Sequence, residues 1–181
     1  VALEMNVAPE RIIETLAKFG GVGRRFDKKG VSQGVTVIDD YGHHPVEIKA
    51  ALQAGRMLCA ENKLIAVVQP HRYSRLSDLF ADFCACFNDA DEVLVADVYA
   101  AGETPIEGAD KTGLVNGLRD HGHKGSAALE SPAQLAAEIA VRTKPGDLVM
   151  CLGAGDITNW AAALPEQLEE IHLSARQETS Q

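Results

Sequence analysis

The sequence lacks the features that place a protein in a membrane or direct it out of the cell. In its 181 residues no apolar run approaches the roughly 20 that cross a bilayer. No signal-peptide pattern opens the chain. The four cysteines lie in apolar segments without C-x-x-C spacing, which argues against a zinc site. We therefore expect buried free thiols in a reducing cytosol, and a cytoplasmic protein without a membrane partner.

Basic charge is also scarce. The chain has 17 Lys and Arg against 26 Asp and Glu, a formal net charge of −9. A surface for nucleic acid is not expected from this balance, although it leaves room for a local basic pocket that binds a small anion. The 46 % of hydrophobic residues can form a sizeable core, and the length suits one domain with a short extension.

Several sequence motifs of catalysis are missing as well. There is no G-x-x-x-x-G-K-[ST] phosphate loop and no G-x-S-x-G nucleophile motif. If this chain takes part in phosphoryl chemistry, it does not itself carry the loop that grips the phosphates. The glycine-rich stretch from Gly153 to Asp156 lacks the third glycine of a dinucleotide fingerprint. It is compatible with anion binding at a helix start or with tight strand–helix packing.

What the chain does have is a regular alternation of strand and helix patterns. Short β-branched or apolar runs predict strands near 34–39, 64–68, 92–96, 126–129 and 147–152. Helices are predicted at 1–19, 45–60, from 75 to about 88, 111–120, after a Ser131 N-cap with Pro132 in the first position, and 157–171. The pattern predicts an α/β fold, a Rossmann-like three-layer sandwich whose mostly parallel sheet is flanked by helices.

The predicted domain limits follow from the same pattern. Residues 1–20 form a terminal helix and a hinge, 21–173 the main domain and 174–181 a frayed polar tail. The glycines at 20–23 act either as a hinge or as a helix C-cap.

Four chemically dense loops each follow a predicted strand and precede a predicted helix. They span residues 39–45, 69–75, 97–110 and 152–156. The carboxyl ends of parallel strands lie at one edge of a sheet, where ligands bind in open α/β folds. We therefore expect the four loops to converge.

The first of these loops reads Asp-Asp-Tyr-Gly-His-His-Pro at 39–45. It places a carboxylate, a phenol and two imidazoles between a strand and a helix that begins at Pro45. Alternatively, Asp40 only caps a turn or the helix, and the histidines are merely exposed. The combination of residues favours a binding or catalytic site, but the spacing alone names no reaction.

The second loop carries two arginines one helical turn apart, Arg72 and Arg75. This spacing lets both guanidinium groups face one ligand, and arginine forks bind carboxylate or phosphate at two points. Either arginine alone is typical of a solvated surface. The pair, with His71 and Tyr73 beside it, favours an anion site. The acidic loop at 97–103 is open to three readings: a cation site, an amine acceptor, or a cap on the sheet.

The motifs at 39–45 and 69–75 together resemble those of the C-terminal domain of the Mur ligases. The resemblance continues through Gly-Val-Gly-Arg-Arg-Phe at 21–26, the segments 97–103 and 108–110, and Gly-Ala-Gly-Asp at 153–156. It implies a ligase of three domains. This chain would supply the third, together with the last helix of the central domain, and the first two domains would be its partners in the same protein.

The resemblance is strongest to the branch of the family that joins L-alanine to UDP-N-acetylmuramate through an acyl phosphate. It implies ATP and Mg²⁺ as cofactors, held mainly by the central domain, and therefore no metal site and no activity in this chain alone. Arg25, with Arg24 as the alternative, Asp40 and Tyr41 would bind the nucleotide. Tyr41, His43, Arg72 and Arg75 would bind L-alanine, the last three as catalytic residues. Glycines 20–23 would be the hinge for closure.

Three other functions remain open. A related recycling ligase adds a preformed tripeptide and typically has Phe-Ala in place of Tyr41 and Gly42. A stand-alone Rossmann-like nucleotide-binding module would not need the imidazole and double-arginine loops. A small-molecule oxidoreductase would use residues 153–156, but this glycine loop follows the last predicted strand instead of the first.

Overall fold

The computed structural model describes residues 2–18 and 22–178. The strands are β1 (Asp27–Ser32), β2 (Val35–Asp40), β3 (Leu64–Val68), β4 (Glu92–Val95), β5 (Ser126–Ala128) and β6 (Leu148–Leu152). The helices are α1 (Pro9–Ala17), α2 (Pro45–Cys59), α3 (Tyr73–Asp78), α4 (Phe80–Ala85), α5 (Lys111–Asp120), α6 (Leu135–Arg142) and α7 (Ile157–Glu178).

The strands form one sheet in the order β1-β2-β6-β3-β4-β5. The strands from β2 to β5 are all parallel, with β6 paired to both β2 and β3. Each of β3 and β6 is buried along its whole length, as expected for parallel strands covered on both faces. The predicted α/β fold and its mostly parallel sheet are confirmed.

The antiparallel edge strand β1 was not predicted. It pairs with β2 across a turn at Gln33 and Gly34, whose backbones both have positive φ. Such φ values suit the primed turns that join two strands by two residues. The sequence Asp-Lys-Lys-Gly at its start is polar, as suits an edge strand, and it lacks the apolar run that marks the buried strands.

Two apolar layers cover the sheet. On one face the core includes Ile48 and Leu52 of α2, Phe83 and Phe87 of the α4 region, and Leu114 of α5. The other face packs under α6 and α7, with Ile139, Ile157 and Leu164 fully buried. The sheet is therefore the middle layer of three. All four cysteines are free and buried, as predicted.

Several predicted helix limits are wrong. The helix expected to run to about residue 88 breaks at Leu79 into α3 and α4. Among the described residues of the predicted helix at 1–19, only Pro9–Ala17 are helical. Ser131 makes no side-chain capping bond, because a short 3-10 turn at Pro132–Gln134 precedes α6. Helix α7 continues to Glu178, beyond its predicted end at residue 171, and the last three residues of the predicted tail lie outside the described part of the chain.

Helix α1 differs from the other helices in its packing. All residues of α1 are described, and none of them is buried. Ile13 and Leu16 are 67 % and 65 % exposed. The predicted hinge at residues 20–23 falls partly outside the described residues. Of this segment the structure describes only Val22 and Gly23. None of the helices among residues 2–18 and 22–178 has the length and apolar character needed to cross a bilayer.

Candidate functional site

The four loops converge at the carboxyl edge of the sheet, as the sequence predicted. The N–H of Gly153 donates to the carbonyl of Asp40 (3.1 Å). The N–H of Gln69 donates to Leu152 (3.0 Å), and that of Tyr99 donates to Pro70 (2.8 Å). Backbone hydrogen bonds thus tie the loops after β2, β3, β4 and β6 to one another.

Asp40 organises the first loop from a buried position. Its side chain is at the end of β2 and the residue is only 7 % exposed. One carboxylate oxygen accepts from the N–H of Gly42 (2.7 Å) and the other from the N–H of Phe26 (2.7 Å). The bond to Gly42 is an Asx turn, so Asp40 does hold a turn, as one of the two readings of this loop expected. A role in nucleotide binding stays a prediction.

The start of α2 is capped by His44 and Glu47. The His44 side chain accepts from the N–H of Val46 (3.4 Å), and Pro45 occupies the first helical position, as predicted. Glu47 returns toward the loop, and its Oε2 accepts from the N–H groups of His43 (3.2 Å) and His44 (3.3 Å). This is a capping box in which an imidazole replaces the usual hydroxyl.

Glu47 also makes electrostatic contacts at the site. Its Oε2 lies 3.4 Å from Nδ1 of His43, and its Oε1 lies 3.8 Å from the guanidinium of Arg25. Burial opposes ionisation of this carboxyl, but the two N–H donors and the neighbouring His43 and Arg25 outweigh it. The pKa of Glu47 is therefore held below its ordinary value.

A row of four rings crosses the edge of the sheet. Tyr41 meets His43 edge-on (5.1 Å between centroids), and His43 meets His71 edge-on (5.8 Å). His71 in turn stacks on Tyr99 (5.3 Å, 14° between planes). The row thus joins the loops after β2, β3 and β4, with two imidazoles at its centre.

The two arginines of the second loop have different surroundings. Arg72 precedes α3 with φ at +74°, its side chain is 51 % exposed, and its Nη1 lies 3.9 Å from Glu103. Arg75 is half-buried and turns back, donating from Nη1 to the carbonyl of His71 (2.8 Å). The loop therefore carries one half-exposed guanidinium with a distant carboxylate partner and one guanidinium fixed against the backbone of His71.

The surroundings of His71 disfavour its protonated form. Burial is the main cause, followed by the positive charge of Arg75, by the His43 ring whenever that ring is protonated, and by Arg72, while Glu103 acts in the opposite direction. The pKa of His71 is consequently below its ordinary value of about 6.5, so the ring is neutral at neutral pH.

The side chains of Arg24 and Arg25 have different surroundings in the structure. Arg24 has positive φ and its Nη2 donates to the carbonyl of Gly153 (2.7 Å), while its Nε lies 3.6 Å from the fully buried Asp39. Arg25 has a side chain that is 51 % exposed. Both guanidinium carbons lie over the Tyr41 ring, at 4.8 Å and 5.4 Å from its centroid. Arg24 therefore braces the loops, and Arg25 is the arginine with room for a ligand.

The acidic side chains of the loop after β4 form hydrogen bonds and an ion pair with neighbouring residues. Glu103 accepts from the N–H (2.9 Å) and hydroxyl (2.7 Å) of Ser74, and Asp97 pairs with Lys111 (3.1 Å). These bonds favour the reading in which the loop braces the sheet edge. An open pocket of about 270 Å³ lies beside Tyr99 and is lined also by Trp160.

The glycines of the loop after β6 allow close packing against neighbouring residues. A Cβ on Gly155 would lie 2.7 Å from the ring of Tyr99, and one on Gly153 would lie 2.7 Å from the carbonyl of Gln69. The side chain of Asp156 accepts from Gln69 (2.6 Å). These close approaches support the strand–helix packing interpretation of the motif over an anion site.

Comparison with known proteins gives this arrangement a family. The model of the Mur ligase glutamate ligase domain matches residues 24–155, which include the four loops nearly to the end of the last one. The chain belongs to the Mur ligase family. Within it, the resemblance seen in the 39–45 and 69–75 motifs is confirmed.

Curated relatives and a solved structure of this family cover almost the whole chain. UDP-N-acetylmuramate–L-alanine ligase of Phenylobacterium zucineum is 62 % identical over 96 % of the chain, and that of Rhodospirillum centenum is 60 % identical over 95 %. A crystal structure of UDP-N-acetylmuramate-alanine ligase from Thermotoga maritima is 26 % identical, with a TM-score of 0.77 over 93 % of the chain and 35 % of its own length. The chain spans 36 % of the length of both curated relatives.

The structure places all the predicted site residues at one edge of the sheet. Tyr41 and His43 lie in the ring row, Arg72 and Arg75 flank His71, and Arg25 lies against Tyr41. Sequence reasoning did not assign Glu47, Tyr99 or Glu103 to the site. Glu47 carried the one usable signal, an acidic residue three positions after a helix N-cap.

Proposed function

We propose that this chain is the C-terminal domain of an ATP-dependent ligase that joins L-alanine to UDP-N-acetylmuramate in peptidoglycan precursor synthesis. The observation that carries the proposal is the meeting of the His43 and His71 rings with the Arg72 and Arg75 guanidiniums at the carboxyl edge of the sheet. The names of relatives about 60 % identical support it. The substrates are intracellular, so we propose that it acts in the cytoplasm.

The amino acid would bind through its carboxylate at the double-arginine loop. Arg75 is already fixed by the His71 carbonyl, and Arg72 is free enough to close on an anion. Charge-assisted bonds to two guanidiniums hold a carboxylate in a defined orientation. The amine would then lie near the ring row, with Tyr41 and His43 on its other side, and positioning of this kind contributes several kcal/mol to lowering the barrier.

The nucleoside of ATP would meet this chain at Arg25 and Tyr41. Tyr41 offers a half-buried ring and Arg25 an exposed guanidinium, which suit a base and a ribose. Both oxygens of Asp40 accept backbone N–H bonds, so its contribution to ribose binding would use the remaining lone pairs.

ATP supplies the phosphoryl group that activates the carboxylate of the acceptor sugar as an acyl phosphate. The chain has no phosphate loop, so we assign the triphosphate and Mg²⁺ mainly to the preceding domain. Residues 1–20 would belong to that domain and its hinge, and 21–173 would form the domain that closes on it. The exposed apolar side chains of α1 are in keeping with this division.

The test is turnover by the full-length protein. With UDP-N-acetylmuramate, ATP, Mg²⁺ and L-alanine, we expect phosphate release and an amide product of the corresponding mass. The purified 181-residue chain alone should read background, because it lacks the phosphate site. Turnover by the isolated chain contradicts the domain assignment. Product formation only with a preformed tripeptide would identify the recycling ligase instead, and nucleotide binding without any amide product would identify a binding module.

A further inference from the structure

We propose that His43 accepts the proton of the attacking amine through Nε2. Glu47, together with the Tyr41 carbonyl, would hold His43 in the required tautomer, and as a positioning residue it would stabilise the protonated ring. The inference rests on the proposed function for the identity of the amine. Its structural part, the opposite tautomers of His43 and His71, stands on hydrogen-bond geometry alone.

The tautomer of His43 follows from what surrounds Nδ1. This nitrogen lies 3.0 Å from the carbonyl oxygen of Tyr41, which can only accept a hydrogen bond. Its next neighbour is the Glu47 carboxylate at 3.4 Å, which also only accepts when ionised. Nδ1 must therefore carry a hydrogen. In the neutral ring the lone pair is then on Nε2, which makes no hydrogen bond within the described part of the chain.

His71 has the opposite arrangement. Its Nδ1 lies 3.4 Å from Nη1 of Arg75, and a guanidinium can only donate. Nδ1 of His71 is thus the acceptor, and the hydrogen of the neutral ring is on Nε2. The lowered pKa of His71, caused by burial first and then by the charges of neighbouring groups such as Arg75 and Arg72, keeps this ring neutral. His71 can therefore donate to a substrate but has no free lone pair for a proton.

Glu47 is held where it can act on His43. Its Oε2 accepts the N–H groups of His43 and His44, which fixes the carboxylate relative to the loop. Arg25 lies on its other oxygen. A fixed carboxylate beside Nδ1–H orients the imidazole and stabilises the imidazolium that forms when Nε2 takes a proton, as in other carboxylate–histidine pairs.

The proton balance is complete with the groups of the proposed reaction. The ammonium of the amino acid gives one proton to Nε2 of His43, and the freed lone pair of the amine bonds to the carbonyl carbon of the acyl phosphate. Collapse of the tetrahedral intermediate breaks the carbon–oxygen bond to phosphate. The second amine proton leaves with the phosphate, and His43 returns its proton to solvent.

The first test compares two nucleophiles in the full-length protein. Hydroxylamine is largely neutral at pH 7 and needs no base, so it can trap the acyl phosphate as a hydroxamate. For His43→Gln we expect kcat with L-alanine to fall about 10²–10⁴-fold, the usual contribution of a general base, while hydroxamate formation is retained. Equal loss of both activities overturns the proposal. His121→Gln, on the exposed end of α5, is the matched control.

The second test is the pH profile of Glu47→Gln. The charged and titratable groups facing His43 are Tyr41 and Glu47 on its own segment, and His71 with Arg75 behind it from the next loop. Removing the one negative charge among them disfavours the imidazolium. The acid limb of kcat/KM for L-alanine should move to lower pH, with a smaller loss of kcat than in His43→Gln and with Glu47→Asp restoring part of it. An unmoved limb contradicts the role of Glu47.

The third test reads the tautomers directly. In ¹⁵N-histidine-labelled full-length protein, long-range ¹H–¹⁵N spectra should show Nδ1–H for His43 and Nε2–H for His71, with assignments from the His43→Gln and His71→Gln spectra. An Nε2–H tautomer at His43 overturns the proposal whatever the activity. If the tautomers are as stated but no amide forms with L-alanine, the proposed function fails and the pairing of the two rings stands.

Discussion

Arg75 is fixed before any ligand arrives, because it donates to the carbonyl of His71. A guanidinium held in this way loses little freedom when it binds a carboxylate. In the full-length protein, we expect Arg75→Ala to raise KM for L-alanine roughly tenfold to a hundredfold, since a charge-assisted hydrogen bond contributes about 1.5–3 kcal/mol. KM for ATP should stay nearly constant. Initial rates at varied L-alanine and ATP measure both.

Two further variants sharpen this result. Arg75→Lys should recover only part of the loss, because an ammonium lacks the two-point fork. Lys124→Ala, which removes an exposed cation in the turn before β5, should leave both constants unchanged. A rise in KM for ATP in place of L-alanine would show that the bound anion is a phosphate.

Asp39 is a buried charge with three partners. Its side chain is fully buried and its Oδ2 accepts from Thr158 (2.6 Å), with Lys29 at 3.5 Å and Arg24 at 3.6 Å. We expect Asp39→Asn to lower the free energy of unfolding by about 2–3 kcal/mol, below the roughly 3–5 kcal/mol of fully buried pairs because both cations keep some exposure. Urea unfolding of the 181-residue chain measures it.

The matched control for Asp39 is Asp120→Asn, an exposed aspartate at the end of α5. It should change the free energy of unfolding by no more than about 0.5 kcal/mol. Equal effects of the two substitutions would show that the Asp39 cluster contributes nothing specific.

Residue types at the site were predictable, but their individual contacts were not. The sequence placed Asp40 at a strand end, Pro45 at a helix start and two arginines one turn apart, since each depends only on local pattern. It did not separate Arg24 from Arg25. Arg24 has positive φ, and its guanidinium bonds to Gly153, which is distant in the sequence, so no local pattern encodes the difference.

At the scale of the elements, a cluster of charged side chains links the starts of β3 and β4 to the end of α6. The cluster lies at the edge of the sheet opposite the site. Glu92 at the start of β4 accepts from Lys63 (2.7 Å) and Arg142 (3.1 Å). Burial opposes ionisation of Glu92, but these two donors outweigh it, so the pKa of this carboxyl lies below its ordinary value. A carboxyl whose pKa is lowered by folding stabilises the fold above its unfolded pKa and loses that contribution as pH falls.

We therefore expect the effect of Glu92→Gln to depend on pH. At pH 7 the substitution should lower the free energy of unfolding by about 1–2 kcal/mol, the value of charge-assisted bonds discounted for partial exposure. The difference should shrink as pH falls below about 4, where the unfolded glutamate takes up its proton. Urea unfolding at several pH values measures this. Glu61→Gln, an exposed neighbour of α2, is the control, and a difference independent of pH refutes the assignment.

The elements themselves were predictable where their pattern was strong. The observed ends of the parallel strands β2 to β6, and those of helices α2 and α5, lie within one or two residues of the predicted ends. Strand β1 was missed because Asp-Lys-Lys-Gly carries no apolar run, and its pairing is set by the Gln33–Gly34 turn. The end of α7 was placed too early because its last turns are polar. Those turns are held partly by tertiary contacts, such as the bond from Arg176 to Gln33.

For the molecule as a whole, a complete sheet with apolar layers on both faces predicts independent folding. Residues 22–178 include both core clusters, so the 181-residue chain should fold without the rest of the protein. We expect an α/β circular dichroism spectrum and a single cooperative melt. A chain lacking α1, starting at Val22, should melt at nearly the same temperature because α1 buries nothing. A non-cooperative transition would mean that the core needs the other domains.

The position of β6 gives the chain an order of assembly. Among the six strands of the described sheet, β6 comes last in the sequence, yet it lies between β2 and β3, which do not bond to each other. In a growing chain that still lacks β6, we therefore expect β1 to β5 to pair only as two groups, the β1–β2 hairpin and the β3–β4–β5 group, with an open slot between them. Tyr41, His43 and both arginines are by then already made, but on opposite sides of the slot. Entry of residues 148–152 closes it and joins the loops after β2 and β3 at one edge of the sheet. We expect this late, long-range step to be slow and to leave the incomplete sheet open to aggregation.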